Sequence, residues 1–318
     1  MYPPIKPFNS FFLETEDKLH NIYVEECGNK NGLPIVYLHG GPGGSIDAKN
    51  RRYFNPKKYR IILFDQRGSG KSRPKGLTIN NTTNHLIADM ERIRNILKIK
   101  KWILFGGSWG STLALVYSIR YPSYVLGMVL RGVFLGTKEE ANWAFHYSSK
   151  YFYPEIIDTI EKKFNEKNKK VFLKLGQMLN SKKKNTRNIS SLIWEKYERT
   201  LSVLNPGYIN LKSFKKVKMT KKLPNSPFLE WHYTKNNFFL KNNEIILKIK
   251  KIKKIPTIII QGRYDLICPP KSAFLISKNM SNCEIKIIED SGHSASEPGI
   301  KKNILKAIEK ISYKIKKK

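Results

Sequence analysis

Short apolar runs alternate with glycine-containing turns over the first 135 residues of the chain. Four of these runs are IVYL at 35–38, YRIILF at 59–64, WILF at 102–105 and VLGMVL at 125–130. Strands that are each followed by such a turn predict parallel βα units. Apolar residues between 86 and 97 recur on one helical face, and Thr82 or Thr83 precedes them as a candidate N-cap. This segment is therefore expected to be a crossover helix.

The middle of the chain, from about 136 to 250, has a different pattern. It contains long amphipathic stretches, aromatic residues and lysine runs but no convincing strand. Strand patterns return as PTIIIQG at 256–262 and EIKIIE at 284–289, and a helical pattern of apolar residues follows at 300–315. We therefore predict an α/β fold whose core comprises residues 1–135 and 251–318, with a helical cap inserted at 136–250.

Length and cysteine content limit the class of protein. A chain of 318 residues suits one large domain or a core with one insertion, and 40% hydrophobic residues suffice for a packed core. Cys27, Cys268 and Cys283 are widely spaced and odd in number, which argues against a disulfide framework and favours a reducing compartment. The first residues lack the apolar segment of a signal peptide, and no window approaches ~20 apolar residues. We expect a cytoplasmic protein that does not enter a membrane.

The net charge of +34, from 59 basic and 25 acidic residues, raises the question of a nucleic-acid partner. Of the basic residues, 47 are lysines and 12 are arginines, whereas bidentate contacts to phosphates and bases favour arginine. The lysines occur with abundant Asn and Ile, as expected if A/T-rich coding shaped the surface. We therefore expect a solvated basic surface with no specific nucleic-acid partner, and we keep polyanion binding as an alternative.

The strongest chemical signal is GGSWG at 106–110, between the run WILF and the helical pattern STLALVYSIRY. A G-x-S-x-G sequence between a strand and a helix is the pattern of a nucleophile elbow, a tight strained turn that exposes the serine hydroxyl. Ser108 is therefore the candidate nucleophile.

A serine hydroxyl needs a base to take its proton and a carboxylate to orient that base. In folds with this elbow the acid and then the histidine follow the serine along the chain. Asp265 follows the strand pattern TIIIQ and His293 follows EIKIIE, so both lie on loops at the carboxyl ends of strands. Asp290 is an alternative acid. We favour Asp265, because its place after the preceding strand lets it reach the histidine from the side.

Two further glycine-rich loops lie close to this pattern. HGGPGG at 39–44 follows IVYL, and we expect the backbone amides of Gly41 and Trp109 to form an oxyanion hole. The sequence GSGKS at 68–72 is similar to the end of a phosphate-binding loop, but Asp65 stands where that pattern needs glycine. We interpret DQRGSG as a structural turn near the site. The other histidines lack the spacing of metal ligands, and we expect neither a metal nor a cofactor.

The motifs HGGPGG, DQRGSGKS, GGSWGS, GRYD and GHSASEPG occur in this order, after YPPI and EECGN near the beginning. In this combination the chain resembles the proline iminopeptidases, a family of serine peptidases with the α/β-hydrolase fold. The resemblance covers almost the whole chain and is weakest in the cap. It implies Ser108 as nucleophile, Asp265 as orienting acid and His293 as general base. It also implies release of an N-terminal proline from peptide substrates.

The resemblance further implies that acids of the cap hold the charged imino group of the substrate. Glu198 in WEKYERT and Glu230 in LEWHY match two such positions, although Tyr197 stands where the family usually has tryptophan and Trp231 replaces an asparagine. Glu195 remains a rival for Glu198. A buried cation without carboxylate partners is costly, which agrees with this assignment.

An apolar pocket for the pyrrolidine ring is also implied by the resemblance. Phe134, Phe145 and Cys268 stand at matching positions, with core packing as the alternative for each. Ala144 and Thr234 occur where the family tends to have aromatic residues, which predicts a looser pocket.

These observations favour a cytoplasmic serine aminopeptidase that releases N-terminal proline through an acyl-enzyme. One alternative keeps the Ser108 hydrolase but assigns it esters or amides without a free amine. Another alternative, from a different class, is a catalytically idle basic protein that binds polyanions.

Overall fold

The computed structural model describes residues 1–167, 170–218 and 226–316. Eight strands of the described chain form one sheet in the order β1-β2-β4-β3-β5-β6-β7-β8. The strands are β1 (Asn9–Glu14), β2 (Asn21–Gly28), β3 (Leu33–Leu38), β4 (Tyr59–Phe64), β5 (Trp102–Ser108), β6 (Val125–Val133), β7 (Thr257–Gly262) and β8 (Cys283–Ile288). β1 and β2 pair antiparallel, and β3 to β8 are parallel. This confirms the predicted α/β architecture.

Twelve α-helices are resolved in the same described ranges. They are α1 (Thr83–Ile96), α2 (Trp109–Arg120), α3 (Lys138–Asn142), α4 (Ser148–Phe152), α5 (Pro154–Phe164), α6 (Lys170–Leu179), α7 (Lys184–Leu201), α8 (Lys212–Lys215), α9 (Ser226–Lys235), α10 (Glu244–Lys248), α11 (Pro270–Asn279) and α12 (Pro298–Lys316). A π-helical turn, Trp143–Tyr147, joins α3 to α4. The Thr82 side chain accepts a hydrogen bond from the His85 amide and so caps α1.

Both faces of the sheet are covered by helices. In β5, Trp102 and Leu104 belong to one apolar cluster, whereas Ile103 and Phe105 belong to another on the opposite face. The first cluster includes the buried residues of α2, and the second includes those of α12. A central parallel strand buried on both faces has a continuous apolar sequence, as WILF does, rather than an alternating one.

A third apolar cluster lies among the helices that follow β6. It contains Ile160, Leu175, Trp194, Tyr197 and Phe214, contributed by α5 to α8. The structure assigns no strand to the described residues between 136 and 250. The division into a core and a cap with boundaries at 136 and 250 stays a prediction.

The segment after α9 returns to the sheet. Phe238, Ile245, Ile249 and Ile252 are buried in the cluster that also contains α2. The chain after α9 is thereby packed on α2, the helix that follows β5. Among the helices of the described chain, none combines the length and apolar content needed to cross a bilayer.

Candidate active site

Ser108 is the last residue of β5 and directly precedes α2. Its φ is +55°, a left-handed conformation that costs energy for any residue with a side chain. A side chain on Gly106 would collide with the Gly110 carbonyl, and one on Gly110 would collide with the Leu38 carbonyl. Both glycines are therefore required for the turn to pack this closely, and the turn holds Ser108 at the carboxyl edge of the sheet.

His293 and Asp265 come together on the loops after β8 and β7. His293 Nδ1 lies 2.7 Å from Asp265 Oδ2, and both residues are buried. Asp265 Oδ1 accepts hydrogen bonds from the amides of Ile267 (3.0 Å) and Cys268 (2.7 Å), which fix the carboxylate. Asp290, the alternative acid, is exposed. The geometry supports Asp265 as the partner of the imidazole.

Arg131 completes the surroundings of the imidazole, and the sequence analysis did not identify it. Its Nη1 donates to His293 Nε2 over 2.9 Å and to the His293 carbonyl over 3.0 Å. A guanidinium can only donate, so Nε2 is an acceptor and Nδ1 carries the proton that Asp265 accepts. This is the tautomer that a general base needs. Arg131 lies in β6 directly before Gly132, and its place after the apolar run VLGMVL was the one signal in the sequence.

The Cys268 side chain lies in the same cavity as Ser108. Burial raises the pKa of the Cys268 thiol well above its ordinary value, with the nearby Asp265 carboxylate adding to the effect. The thiol is therefore protonated and does not compete as a nucleophile. For proton transfer to occur, Arg131 has to release His293 Nε2 so that this nitrogen can accept the proton of the Ser108 hydroxyl.

The two candidate oxyanion donors come from the elbow itself and from the HGGPGG loop. Gly41 has a φ of +113° and lines the same cavity as Ser108. Trp109 is fully buried at the first position of α2. An added side-chain carbon on Gly40 would lie 3.5 Å from the Ser108 Cβ, so the HGGPGG loop passes directly against the nucleophile. Assignment of the two amides as oxyanion donors is a proposal that this proximity supports.

A small cavity beside Ser108 brings the predicted substrate-binding residues together. Its volume is about 40 Å³, room for roughly three water molecules. All five predicted residues line it: Phe134, Phe145, Glu198, Glu230 and Cys268. Ala144 and Thr234 also line it, as does Pro42 of the HGGPGG loop, together with Ala141, Phe238 and Ile267, which were not predicted. Phe238 lies within the sequence NNFF and has a φ of +54°. Nothing in that sequence indicated that Phe238 would line the cavity.

Glu198 and Glu230 form a carboxyl pair in this cavity. Burial raises the pKa of Glu230 to about 7, against the effect of the Trp194 indole, whose Nε1 donates to Oε2 over 2.7 Å. The pKa of Glu198 is raised well above its usual range by burial and by the charge of Glu230, to which it is hydrogen-bonded. Two carboxyl groups can share a hydrogen bond only when one is protonated. Burial and the neighbouring carboxylate therefore favour the protonated form of Glu198.

The neighbours of these glutamates in the sequence have other surroundings. Glu195 is exposed and lines a different cavity on another side of α7. The Tyr197 hydroxyl donates to the Ala144 carbonyl over 2.7 Å, which ties α7 to the π-helical turn. Trp231 packs on Gly176, where an added side chain would collide with the indole. Only Glu198 of the two rivals therefore shares a cavity with Ser108.

Comparison with known proteins places the chain in a family. Residues 34–299 match the model of the α/β-hydrolase fold. A proline iminopeptidase of Arabidopsis thaliana is 41% identical over 316 residues, which cover 98% of this chain and 82% of that protein. A proline iminopeptidase of Neisseria meningitidis serogroup B is 36% identical, with 98% of both chains covered. An α/β-fold hydrolase structure from Bacillus anthracis aligns with a TM-score of 0.61 at 20% identity, covering 96% of this chain and all of the other. The chain belongs to the proline iminopeptidase family of α/β hydrolases.

Proposed function

We propose that the protein is a serine aminopeptidase that releases N-terminal proline from peptides. The observation that carries the proposal is the cavity that joins Ser108 to the Glu198 and Glu230 carboxyl pair. A hydrolase for neutral esters has no need of a carboxyl pair, one group buried and one half-buried, beside its nucleophile. A protonated secondary amine does need them, because a buried cation is stable only next to compensating charge.

In the proposed reaction Ser108 Oγ attacks the prolyl carbonyl while its proton passes to His293 Nε2. Asp265 accepts the Nδ1 proton and stabilises the imidazolium that forms. The amides of Gly41 and Trp109 bind the oxyanion of the tetrahedral intermediate. His293 then protonates the leaving amine, and a water molecule activated by His293 hydrolyses the prolyl ester of Ser108 to release free proline.

The apolar part of the cavity fits the rest of the substrate. Phe134, Phe145 and Phe238 surround a space that holds a small ring but not a long side chain. Because the amine is held by the two glutamates at one end, the carbonyl of the first residue alone reaches Ser108. The enzyme is therefore expected to remove one residue at a time from a free N-terminus.

Three chromogenic amides test this function: that of proline, that of N-acetylproline and that of alanine. We expect efficient cleavage of the proline amide, at least about 100-fold slower cleavage of the alanine amide and no measurable cleavage of the acetylated one. The acetyl group removes the charge that the glutamates bind, and hydrogen bonds to charged groups contribute about 1.5–3 kcal/mol each. Equal cleavage of all three would contradict the proposal and favour an esterase or amidase.

Binding of the amine should depend on pH through the carboxyl pair. We expect the inhibition constant of pyrrolidine to rise about tenfold per pH unit below pH 7, because Glu230 has a pKa of about 7 and gains a proton there. The protonated pair is neutral and no longer attracts the cation. Cyclopentane carboxamide, which is neutral, serves as the control, and its inhibition constant should not follow this titration. A flat profile for pyrrolidine between pH 5 and 8 would contradict the carboxyl-pair assignment.

We also propose a cytoplasmic location. Cys27, Cys268 and Cys283 are all free thiols, and Cys27 and Cys268 are buried. This state supports a reducing compartment.

A further inference from the structure

The DQRGSG loop after β4 lies against both segments that carry the oxyanion donors. We propose that Gln66 in this loop is a positioning residue that holds these two segments in register. The inference rests on the proposed function of the Gly41 and Trp109 amides. It gives a role in the reaction to a motif that the sequence analysis interpreted only as a turn.

Gln66 contacts both segments with its side chain. Its Oε1 accepts a hydrogen bond from Trp109 Nε1 over 3.0 Å, and its Nε2 donates to the His39 carbonyl over 2.9 Å. All three residues are buried, Gln66 to 2% exposure. Trp109 follows the nucleophile, and His39 begins the HGGPGG loop two residues before Gly41. One side chain therefore links both sides of the proposed oxyanion hole.

The chemistry of the two partners explains why an amide stands here. An indole N–H can only donate, and a backbone carbonyl can only accept. A side chain between them must accept at one end and donate at the other, which glutamine does and glutamate or methionine does not. The same requirement fixes the orientation of the Gln66 amide.

A second link runs through the His39 ring. The Gln66 backbone amide donates to His39 Nε2 over 3.0 Å, and Nδ1 lies 2.9 Å from the Gly40 carbonyl. Since Nε2 accepts, Nδ1 carries the proton and donates to Gly40, the residue before the proposed donor Gly41. Burial lowers the pKa of His39, which keeps the ring neutral in this arrangement.

The loop that carries Gln66 is itself held firmly. Asp65 accepts hydrogen bonds from the amides of Ile46 and Lys71, both over 2.7 Å. The Ser69 hydroxyl donates to the Gln66 carbonyl over 2.7 Å. The Asp65 carboxylate that argues against phosphate binding thus closes the loop and connects it to the chain after HGGPGG. A rigid support is what a pair of oxyanion donors needs, since their effect depends on fixed geometry.

Gln66→Met tests the role, because methionine has a similar length but neither donates nor accepts strongly. We expect kcat for the proline amide to fall about 10- to 100-fold with KM within about twofold of wild type, since only the transition state uses the oxyanion hole. The rate at which a fluorophosphonate labels Ser108 should fall in parallel. Gln66→Glu should lower both rates further, because its charge repels the His39 carbonyl and the oxyanion.

Tyr59→Phe is the matched control. It removes another buried hydrogen bond, from the Tyr59 hydroxyl to the Ile308 carbonyl over 2.6 Å, at the opposite end of the strand that leads to Gln66. Its kcat and labelling rate should match those of wild type. The endpoint of labelling counts the folded sites in every variant, so partial unfolding is separated from slower chemistry.

The outcomes separate this inference from the proposed function. Normal kcat and labelling rates in both Gln66 variants, or a change in KM alone, would overturn the positioning role. If wild type is labelled at Ser108 but cleaves no prolyl amide, the substrate proposal fails while the labelling rates still decide the role of Gln66. If wild type is neither labelled nor active, both proposals are wrong.

Discussion

Ser108→Ala should lower kcat for a proline amide by about 10⁵- to 10⁶-fold, because no other group in the cavity can form the acyl-enzyme. The nearest alternative nucleophile, the Cys268 thiol, has a pKa raised by burial and stays protonated. Steady-state hydrolysis measures the loss, and labelling by a fluorophosphonate should disappear with it.

The fold should survive this substitution. Alanine adopts the φ of +55° at the same cost as serine, and the packing of Gly106 and Gly110 is unchanged. We expect an unfolding midpoint within about 3 °C of wild type, equivalent to a change of about 1 kcal/mol or less. Ser118→Ala is the control, because Ser118 is a buried serine of α2 that donates only to the Ala114 carbonyl and to Met128 Sδ. Retention of more than about 1% of wild-type kcat in Ser108→Ala would contradict the mechanism.

The parallel strands could be predicted from sequence because apolar residues dominate each of them and a turn follows, even in β8, where Glu284 and Lys286 interrupt the apolar residues. β2 was not predicted, and its charges explain why. Glu25 and Glu26 lie within it, both buried and paired with Arg51 and Arg60. Two adjacent acids break the apolar pattern, and only the folded structure shows that arginines compensate them. β1 lies at the edge of the sheet and only Leu13 of its residues is buried, so its sequence has no strong apolar pattern.

Local sequence patterns were enough to identify the three candidate catalytic residues, Ser108, Asp265 and His293. Each stands in a turn after a recognisable strand, and parallel strands bring such turns to one edge of the sheet. Arg131 and Gln66 also follow strand patterns, but their importance depends on which atoms they meet, and those atoms are contributed by distant segments. Glu198 and Glu230 lie on helices without any local signal, so only resemblance to a family could select them from the other acids.

Replacing both glutamates of the carboxyl pair should lower kcat/KM for the proline amide by about 10³-fold or more. Each of Glu198→Gln and Glu230→Gln alone should cost roughly 10- to 100-fold, because a hydrogen bond to a charged group is worth about 1.5–3 kcal/mol. An N-acetylated ester, which brings no cation, should be hydrolysed by the double variant at least as well as by wild type. Initial rates with the two substrates measure this change in specificity.

Glu195→Gln provides the control on the same helix. Glu195 lies three residues before Glu198 but is exposed and lines a different cavity, so its substitution removes a charge of the same sign that acts on Glu198 only from outside the site. Its kcat/KM should stay within about twofold of wild type, as for most surface substitutions. Equal losses in Glu195→Gln and Glu198→Gln would show a general effect of charge and contradict a specific amine site.

The pH dependence of the unfolding free energy gives a second test of the Glu198 and Glu230 carboxyl pair. Burial raises the pKa of Glu230 to about 7, so the folded state holds a proton that the unfolded chain releases at lower pH. The contribution of Glu230 to wild-type stability therefore falls as pH rises from about 4.5 to 7, and this loss is complete above pH 7. Glu230→Gln has no such proton to lose. Its unfolding free energy should exceed that of wild type at pH 8 and approach it at pH 4, so a substitution that weakens substrate binding makes the protein more stable at alkaline pH.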